Sequence, residues 1–330
     1  VIVLDGEVIG EGFHPGAGQP HAEVFALRAA GDRSRGATLY VNLEPCNHHG
    51  RTPPCSEAVI AAGIQRVVVG MVDPDPRTAG QGIERLQQAG LTVTVGVEEA
   101  ACQELNAAFS HRIRNGQPYG ILKYAMTLDG RIAAPSGHSQ WVTGPEARAR
   151  VHQLRATVDA VIVGGNTVRQ DNPALTLHGQ PGEPPLRVIL SRRLELPREA
   201  QLWDTAIAPT LVFTGPEADP QLFQHLEQQG VTVVVLPDCT PALAARELAR
   251  RGCNRVLWEC GGTLAAAALR DQCIQEVWAF IAPKLIGASP YGPMGDLGLT
   301  RMDEAIALEN LSIEPVGTDV LLRGRLWAAP

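Results

Sequence analysis

The sequence predicts an α/β protein of two domains, on three observations. Short apolar runs alternate with stretches whose apolar residues recur at helical spacing and end in glycine, the rhythm of layered α/β domains. That rhythm breaks at Asn115-Gly116-Gln117-Pro118, where Gly and Pro both interrupt regular structure. The length of 330 residues suits two cores at about 150 residues each. The expected domains are therefore residues 1–116 and 117–330.

Each element has a local reason. Asp5-Gly6 supplies the positive φ angles of a two-residue turn, so residues 1–4 and 7–12 form a hairpin. Residues 21–30 carry Ala22, Val24, Phe25, Ala26, Leu27 and Ala30 at helical spacing and stop at Gly31. A strand over 37–43 leads into a loop rich in Pro, His and Gly over 44–54. Helices over 56–62 and 82–89, closed by Gly63 and Gly90, alternate with strands over 66–72 and 91–97, and one helix over 98–114 leads to the break. A strand starting at Tyr119 restarts the pattern, followed by strands over 160–163, 186–190, 210–214, 231–236, 255–259 and 276–282. Pro145 and Pro241 suit a first helical turn, the second behind Thr240 as N-cap.

Composition excludes several classes of function. Lys and Arg total 28 against 35 Asp and Glu, a net charge of -7, so no global positive field grips a polynucleotide or an anionic membrane. The longest apolar stretches, residues 67–72 and 231–236, fall far short of the ~18 residues of a membrane span. Seven Cys is an odd number in a long chain without a secretory signal, which points to a reducing compartment, the cytoplasm.

One constellation carries chemistry. His21-Ala22-Glu23 opens a helix, Pro45-Cys46 follows the next strand, and Pro54-Cys55 opens the helix after that. One His and two Cys leave a fourth tetrahedral position open, the arrangement of a catalytic zinc rather than a structural one. Glu23, two residues after the His, points away from the metal yet reaches bound water and substrate, which suits a proton shuttle. The chemistry this serves is hydrolytic deamination of an amino-substituted ring. Taken singly, His21 reads equally as a core histidine, and Cys46 and Cys55 as buried thiols; the order and spacing of the set favour the metal. Cys102, Cys239, Cys253, Cys260 and Cys273 have no such context and are expected in the core.

The loop Glu44-Pro45-Cys46-Asn47-His48-His49-Gly50-Arg51-Thr52-Pro53-Pro54-Cys55 separates the two Cys widely, and it resembles the bifunctional riboflavin-biosynthesis deaminase-reductase family. The resemblance runs along the whole chain. It implies a cytidine-deaminase-like three-layer domain followed by a dihydrofolate-reductase-like α/β domain that uses NADPH. It also implies one Zn2+ per chain on His21, Cys46 and Cys55, with Glu23 as the catalytic acid and base. The deaminase substrate would be lined by His14, His49, Arg51, Thr52, Asp73 and Asp75, where Arg51 suits a substrate phosphate.

In the second domain the segments 123–130 and 139–144 resemble the family's reductase opening. By that resemblance Ala125, Trp141, Thr167, Asp171 and Ser191 contact NADPH, while Ser139, Arg155, Leu175, His178 and Glu259 contact the pyrimidine. Gly261-Gly262-Thr263 leads from a buried strand into a helix, so bare amides and a helix N-terminus can face the cofactor pyrophosphate. A Gly-x-Gly-x-x-Gly fingerprint is absent, which argues against an ordinary Rossmann domain. Lys123 either orients substrate or snorkels from a sheet edge.

The chain departs from the family at three places. His178 stands where the family carries a phosphate-binding Arg, so reductase affinity is expected to follow an imidazole titrating between about pH 6 and 8. Asp75 stands where Asn is usual, and a carboxylate cannot donate as an amide does. The family also begins about thirty residues earlier than Val1, with a segment whose Asn contacts the pyrimidine, so on this resemblance either the sequence is an N-terminally truncated piece or its base recognition is altered.

The expected function is a cytoplasmic riboflavin-biosynthesis enzyme. It deaminates 2,5-diamino-6-ribosylamino-4(3H)-pyrimidinone 5-phosphate and then reduces the ribosyl chain to ribityl, as a homo-oligomer through the reductase domain. The nearest alternative pairs the deaminase with a reductase for a pterin- or folate-like substrate. A nucleic-acid-binding protein with a structural zinc is disfavoured by the charge and by the three-ligand set.

Overall fold

A computed structural model describes residues 1–16, 18–50 and 52–326. The chain divides into two compact units, Val1–Asn115 and Gly116–Pro330.

The first unit is built on a five-stranded sheet in the order β2-β1-β3-β4-β5, from β1 (Ile2–Leu4), β2 (Glu7–Gly10), β3 (Thr38–Leu43), β4 (Arg66–Met71) and β5 (Thr92–Val95). Asp5 and Gly6 take φ 51° and 82°, the turn geometry expected of Asp-Gly. Strands β3, β4 and β5 are parallel, so helices must cross over between them, α2 (Cys55–Ala61) and α3 (Gln81–Gln88), while α1 (Ala22–Ala30) leads from β2 into β3. Val67 and Val69 of β4 pack into one core with Ala26, Val59 and Leu86 from those three helices. Side chains alternate along a strand, so Gly70 faces the opposite layer. There a Cβ on Gly70 would lie 2.2 Å from the Cys102 sulfur, so α4 (Glu99–Leu105) sits directly on the strand. The result is three layers.

The sequence predicts one helix over 98–114, and the structure has two, α4 and α5 (Ala107–Asn115). The break falls at Asn106, whose backbone leaves helical geometry at φ -95° and ψ 11° and whose Nδ2 joins its own backbone amide on the Cys102 carbonyl, at 2.9 and 3.0 Å.

The second unit holds a nine-stranded sheet in the order β10-β9-β8-β7-β11-β6-β12-β14-β13. Its strands are β6 (Tyr119–Thr127), β7 (Ala160–Gly164), β8 (Leu186–Leu190), β9 (Thr210–Thr214), β10 (Thr232–Val235), β11 (Arg255–Trp258), β12 (Glu276–Ala282), β13 (Leu308–Val316) and β14 (Asp319–Leu326). The seven strands from β10 to β12 are parallel, and β14 and β13 add an antiparallel hairpin at one edge. Crossovers run through α6 (Pro145–Arg155), α7 (Gly165–Asp171), α8 (Pro220–Gln228), α9 (Pro241–Arg250) and α10 (Gly262–Arg270). Thr240 caps α9, its hydroxyl accepting from the Leu243 amide at 3.3 Å.

The chain lays down β6, steps over to β7 and continues outward to β10, then returns to insert β11 between β7 and β6. Ligands of open α/β sheets bind beyond the carboxyl ends of the strands where the order reverses. Here that crevice lies past Gly164, Trp258 and the end of β6.

Candidate functional site

The deaminase-type cluster forms at the carboxyl ends of β3 and β4. His21 is the residue before the first turn of α1, Cys55 is the first residue of α2, and Cys46 lies in the loop beyond β3. These short connections bring the His21 Nδ1 atom to 3.5 Å from the Cys46 sulfur and 3.3 Å from that of Cys55. Bonds of ~2.0–2.3 Å to a tetrahedral zinc would separate its ligands by about 3.6 Å. The donor set and its spacing fit zinc, and no other group of three such side chains occurs among the described residues. The Cys55 amide also points at the Cys46 sulfur, 3.4 Å away, as a donor to thiolate.

The hydrogen bond from Cys55, with that to His21, draws the Cys46 thiol down to about 4, while the Cys55 thiol is pushed up by its neighbour Cys46 and by burial. The His21 pKa is raised, first by its bond to Cys46. Glu23 is 8% exposed, and burial raises its carboxyl above the ordinary value. It can therefore hold a proton beside the sulfurs rather than sit permanently charged.

Around this cluster the sequence-predicted residues are placed unevenly. The His14 ring meets His21 edge-on at 5.2 Å and its Nδ1 lies 3.1 Å from the Pro20 carbonyl. Asp73 and Asp75 are both buried; the Asp73 carboxylate accepts from the Asp75 amide at 2.8 Å, and burial raises its pKa. Asp75 is engaged by Arg77, whose Nε donates to both carboxylate oxygens at 3.0 Å and holds the acid below its ordinary pKa. His49 is exposed and Thr52 half-buried, and Arg51 lies outside the described residues.

Two residues emerge that the sequence did not single out. His48, rather than His49, reaches inward, its Nδ1 3.0 Å from the Thr78 hydroxyl. Glu44 is buried and accepts four backbone N–H groups, from Asp73 at 3.2 Å, Gly80 at 2.9 Å, Gly82 at 2.9 Å and Ile83 at 3.1 Å. It ties the Cys46 loop to the 73–83 segment. Gly82 completes that junction, since a Cβ there would lie 1.9 Å from the Pro45 carbonyl oxygen.

In the second unit the crevice is lined by charge. Glu259, just past β11, is held by Arg155 at 2.5 and 3.1 Å and by Lys123 at 3.7 Å. Burial opposes the Glu259 charge, yet the two cations bring its pKa down to about 2. Lys123 belongs to β6, an interior strand, so the alternative of a sheet-edge lysine is corrected: its ammonium lies within the crevice beside Glu259. Arg155 also donates to the Thr176 carbonyl at 3.0 Å, and His178 stacks on His152 of α6 at 4.2 Å. Burial, aided by Arg155, lowers the His178 pKa from its ordinary value, which moves its titration toward the acid side of the expected range.

Ser139 reaches the Asp171 carboxylate at 3.5 Å. Thr167 lies on α7, Ala125 on β6 and buried Ser191 at the end of β8. Leu175 is buried. Trp141 is 62% exposed, with the Arg148 guanidinium over its ring at 4.5 Å and the Lys284 ammonium on its carbonyl at 2.8 Å. At the head of α10, Gly261 opens onto free space, as a diphosphate would need. Gly262 is required by packing: a Cβ would lie 2.9 Å from the Gly292 carbonyl oxygen, and the Gly295 amide donates to its carbonyl. Thr263 follows in the first turn.

Comparisons with known proteins agree with both halves. The cytidine and deoxycytidylate deaminase zinc-binding region matches residues 1–71, and the RibD C-terminal domain matches residues 118–322. A riboflavin biosynthesis protein RibD of Synechocystis sp. is 58% identical over 328 residues, 99% of this chain and 89% of that protein. Among solved structures, RibD of Acinetobacter baumannii superposes with a TM-score of 0.88 at 39% identity, covering 99% of this chain and 91% of that one. A diaminohydroxyphosphoribosylaminopyrimidine deaminase/5-amino-6-(5-phosphoribosylamino)uracil reductase of Thermotoga maritima gives 0.87 at 36% identity and the same coverage. With a zinc-fitting His-Cys-Cys cluster in one unit and a charged crevice at the strand reversal of the other, the chain belongs to the RibD family of riboflavin biosynthesis proteins.

Proposed function

We propose that this chain carries out two successive steps of riboflavin biosynthesis, hydrolysing the 2-amino group of the diaminopyrimidinone phosphate and then reducing the ribosyl chain of the product to ribityl. The observation that carries the reading is the meeting of His21, Cys46 and Cys55 within 4.8 Å, next to a buried Glu23. His21, Cys46 and Cys55 would hold the zinc, which would supply Lewis-acid activation of a water at neutral pH. Glu23 carries one proton of the attacking water to the ring nitrogen and the other to the departing amino group, so that the amino-substituted C=N becomes a carbonyl beside a ring N–H and ammonia leaves. His14, Asp73 and Asp75 border the ring, and His49, Arg51 and Thr52 supply the loop that meets the phosphate.

In the second unit NADPH, when bound, would supply a hydride to the anomeric carbon of the ring-opened ribosylamine, a C=N bond whose nitrogen takes a proton from water to leave the ribitylamine. Gly261, Gly262 and Thr263 offer the helix head to the cofactor diphosphate, and Ala125, Trp141, Thr167, Asp171 and Ser191 border the rest of it. Ser139, Arg155, Leu175 and His178 place the phosphorylated substrate, while Lys123 and the ionised Glu259 orient the sugar hydroxyls. The free cysteines suit a reducing compartment, for which we take the cytoplasm. Among the described residues no helix is long and apolar enough to cross a membrane. We place self-association in the reductase domain.

The test is Glu23→Ala. Zinc content by atomic absorption should stay at one per chain, because Glu23 is not a ligand. Ammonia release should fall by about 100-fold or more. NADPH oxidation with the deaminated pyrimidine should match the parent. A variant releasing ammonia near the parent rate would remove Glu23 from the reaction.

A further inference from the structure

We infer that Arg187 and Gln201 form an anchor that positions the 171–178 segment for reduction, an inference that rests on the reading of this segment as substrate- and cofactor-binding. Arg187 lies in β8 and is fully buried, an unusual place for a cation. No ion pair holds it among the described residues. Its guanidinium instead donates to four backbone carbonyls, those of Asp204 at 2.8 Å, Ala208 at 2.7 Å, and Ala174 and Gln201 at 3.4 Å each. A charge buried on carbonyl dipoles, with only the more distant Asp204 carboxylate opposing the cost of burial, is costly to keep. What it gains is a planar fork with enough donors to join two chain segments, which no apolar residue or lysine offers.

The second half of the anchor is Gln201. Its side-chain Nε2 donates to the Asn172 carbonyl at 2.7 Å, and its backbone amide donates to Asn172 Oδ1 at 2.9 Å. The 171–178 segment is therefore gripped from behind at Asn172 and Ala174. It needs such support, because Asn172, Leu175 and His178 take φ of 40°, 51° and 47° in the left-handed region that non-glycine residues seldom occupy. Conformations of this kind persist where the surroundings over-determine them.

The same segment meets the crevice on its other side. Asp171 accepts from Ser139, Thr176 accepts from Arg155, and His178 stacks on His152. A shift at Asn172 or Ala174 would move these groups together. Arg187 and Gln201 touch neither substrate nor cofactor on this account and are positioning residues.

Full-length Arg187→Met and Gln201→Ala test the anchor by steady-state NADPH oxidation with the deaminated pyrimidine, with ammonia release from the same protein as control. Arg187→Met should raise the KM for the pyrimidine by about tenfold or more, Gln201→Ala by a smaller factor in the same direction, with kcat changing less. Ammonia release should match the parent in both. Gln201 is exposed, so its variant folds and decides the matter even if Arg187→Met does not accumulate. A KM within about twofold of the parent for Gln201→Ala, or for a folded Arg187→Met whose melting temperature alone has dropped, overturns the anchor. A parent chain that oxidises no NADPH with this pyrimidine overturns the reductase reading itself, and the anchor with it.

Discussion

Glu44 is a buried carboxylate whose partners are four backbone amides, and it stands two residues before a zinc-type cysteine. Glu44→Gln would put an amide donor where two N–H groups already point, leaving them without an acceptor. Zinc affinity should fall by roughly 10- to 100-fold, the usual effect of losing an outer-shell support, read by competition with a chromogenic chelator. Nothing in the sequence marked Glu44, because its partners lie 29 to 39 residues downstream and only folding collects them. His21, Glu23, Cys46 and Cys55 were legible because motif, helix start and proline neighbours are local. His178 shows the limit from the other side: its identity was legible, its titration was not, since burial and Arg155 set it. A lowered pKa leaves less of the imidazole charged at neutral pH than an ordinary histidine would carry. The reductase KM for the phosphorylated pyrimidine should therefore fall as the pH is lowered and the imidazole charges, while His178→Arg should lower it at pH about 7.5 and flatten the profile.

At the scale of elements, local chemistry fixed most starts and stops. Asp5-Gly6 turns the first hairpin, Gly31 ends α1, and Pro241 behind Thr240 opens α9. Thr240→Ala removes the acceptor for the Leu243 amide and should cost about 1 kcal/mol, seen as a melting temperature lower by about 2–4 °C for a unit of this size. The β13–β14 hairpin escaped the sequence reading. Its pairing slips register between Glu309 and Ser312, which shifts the apolar alternation out of phase, and Pro315 interrupts the run. An edge strand tolerates both. The break between α4 and α5 is a deviation of one residue, Asn106, across which the i→i−4 bonds continue, so the periodicity of the side chains does not register it.

At the scale of the whole molecule, the two units differ in how far apart in sequence their partners lie. In the first, β1, β3, β4 and β5 pair across a span that ends by Val95. In the second, β6 ends at Thr127 and is flanked by β11 and β12, which begin at Arg255 and Glu276. Folding slows as contacts become less local. On dilution from denaturant into zinc-containing buffer, ammonia release should recover before NADPH oxidation, and simultaneous recovery would contradict this assignment of folding units.

The central position of β6 also matters on the ribosome. The strand emerges among the first of its sheet and must wait for both neighbours, on the order of ten seconds at common elongation rates. Through that interval two unpaired edges bearing Ile121 and Leu122 are open to any other nascent chain. Rare codons between β6 and β12 would lengthen the wait, and chaperone dependence should track the translation time of that stretch.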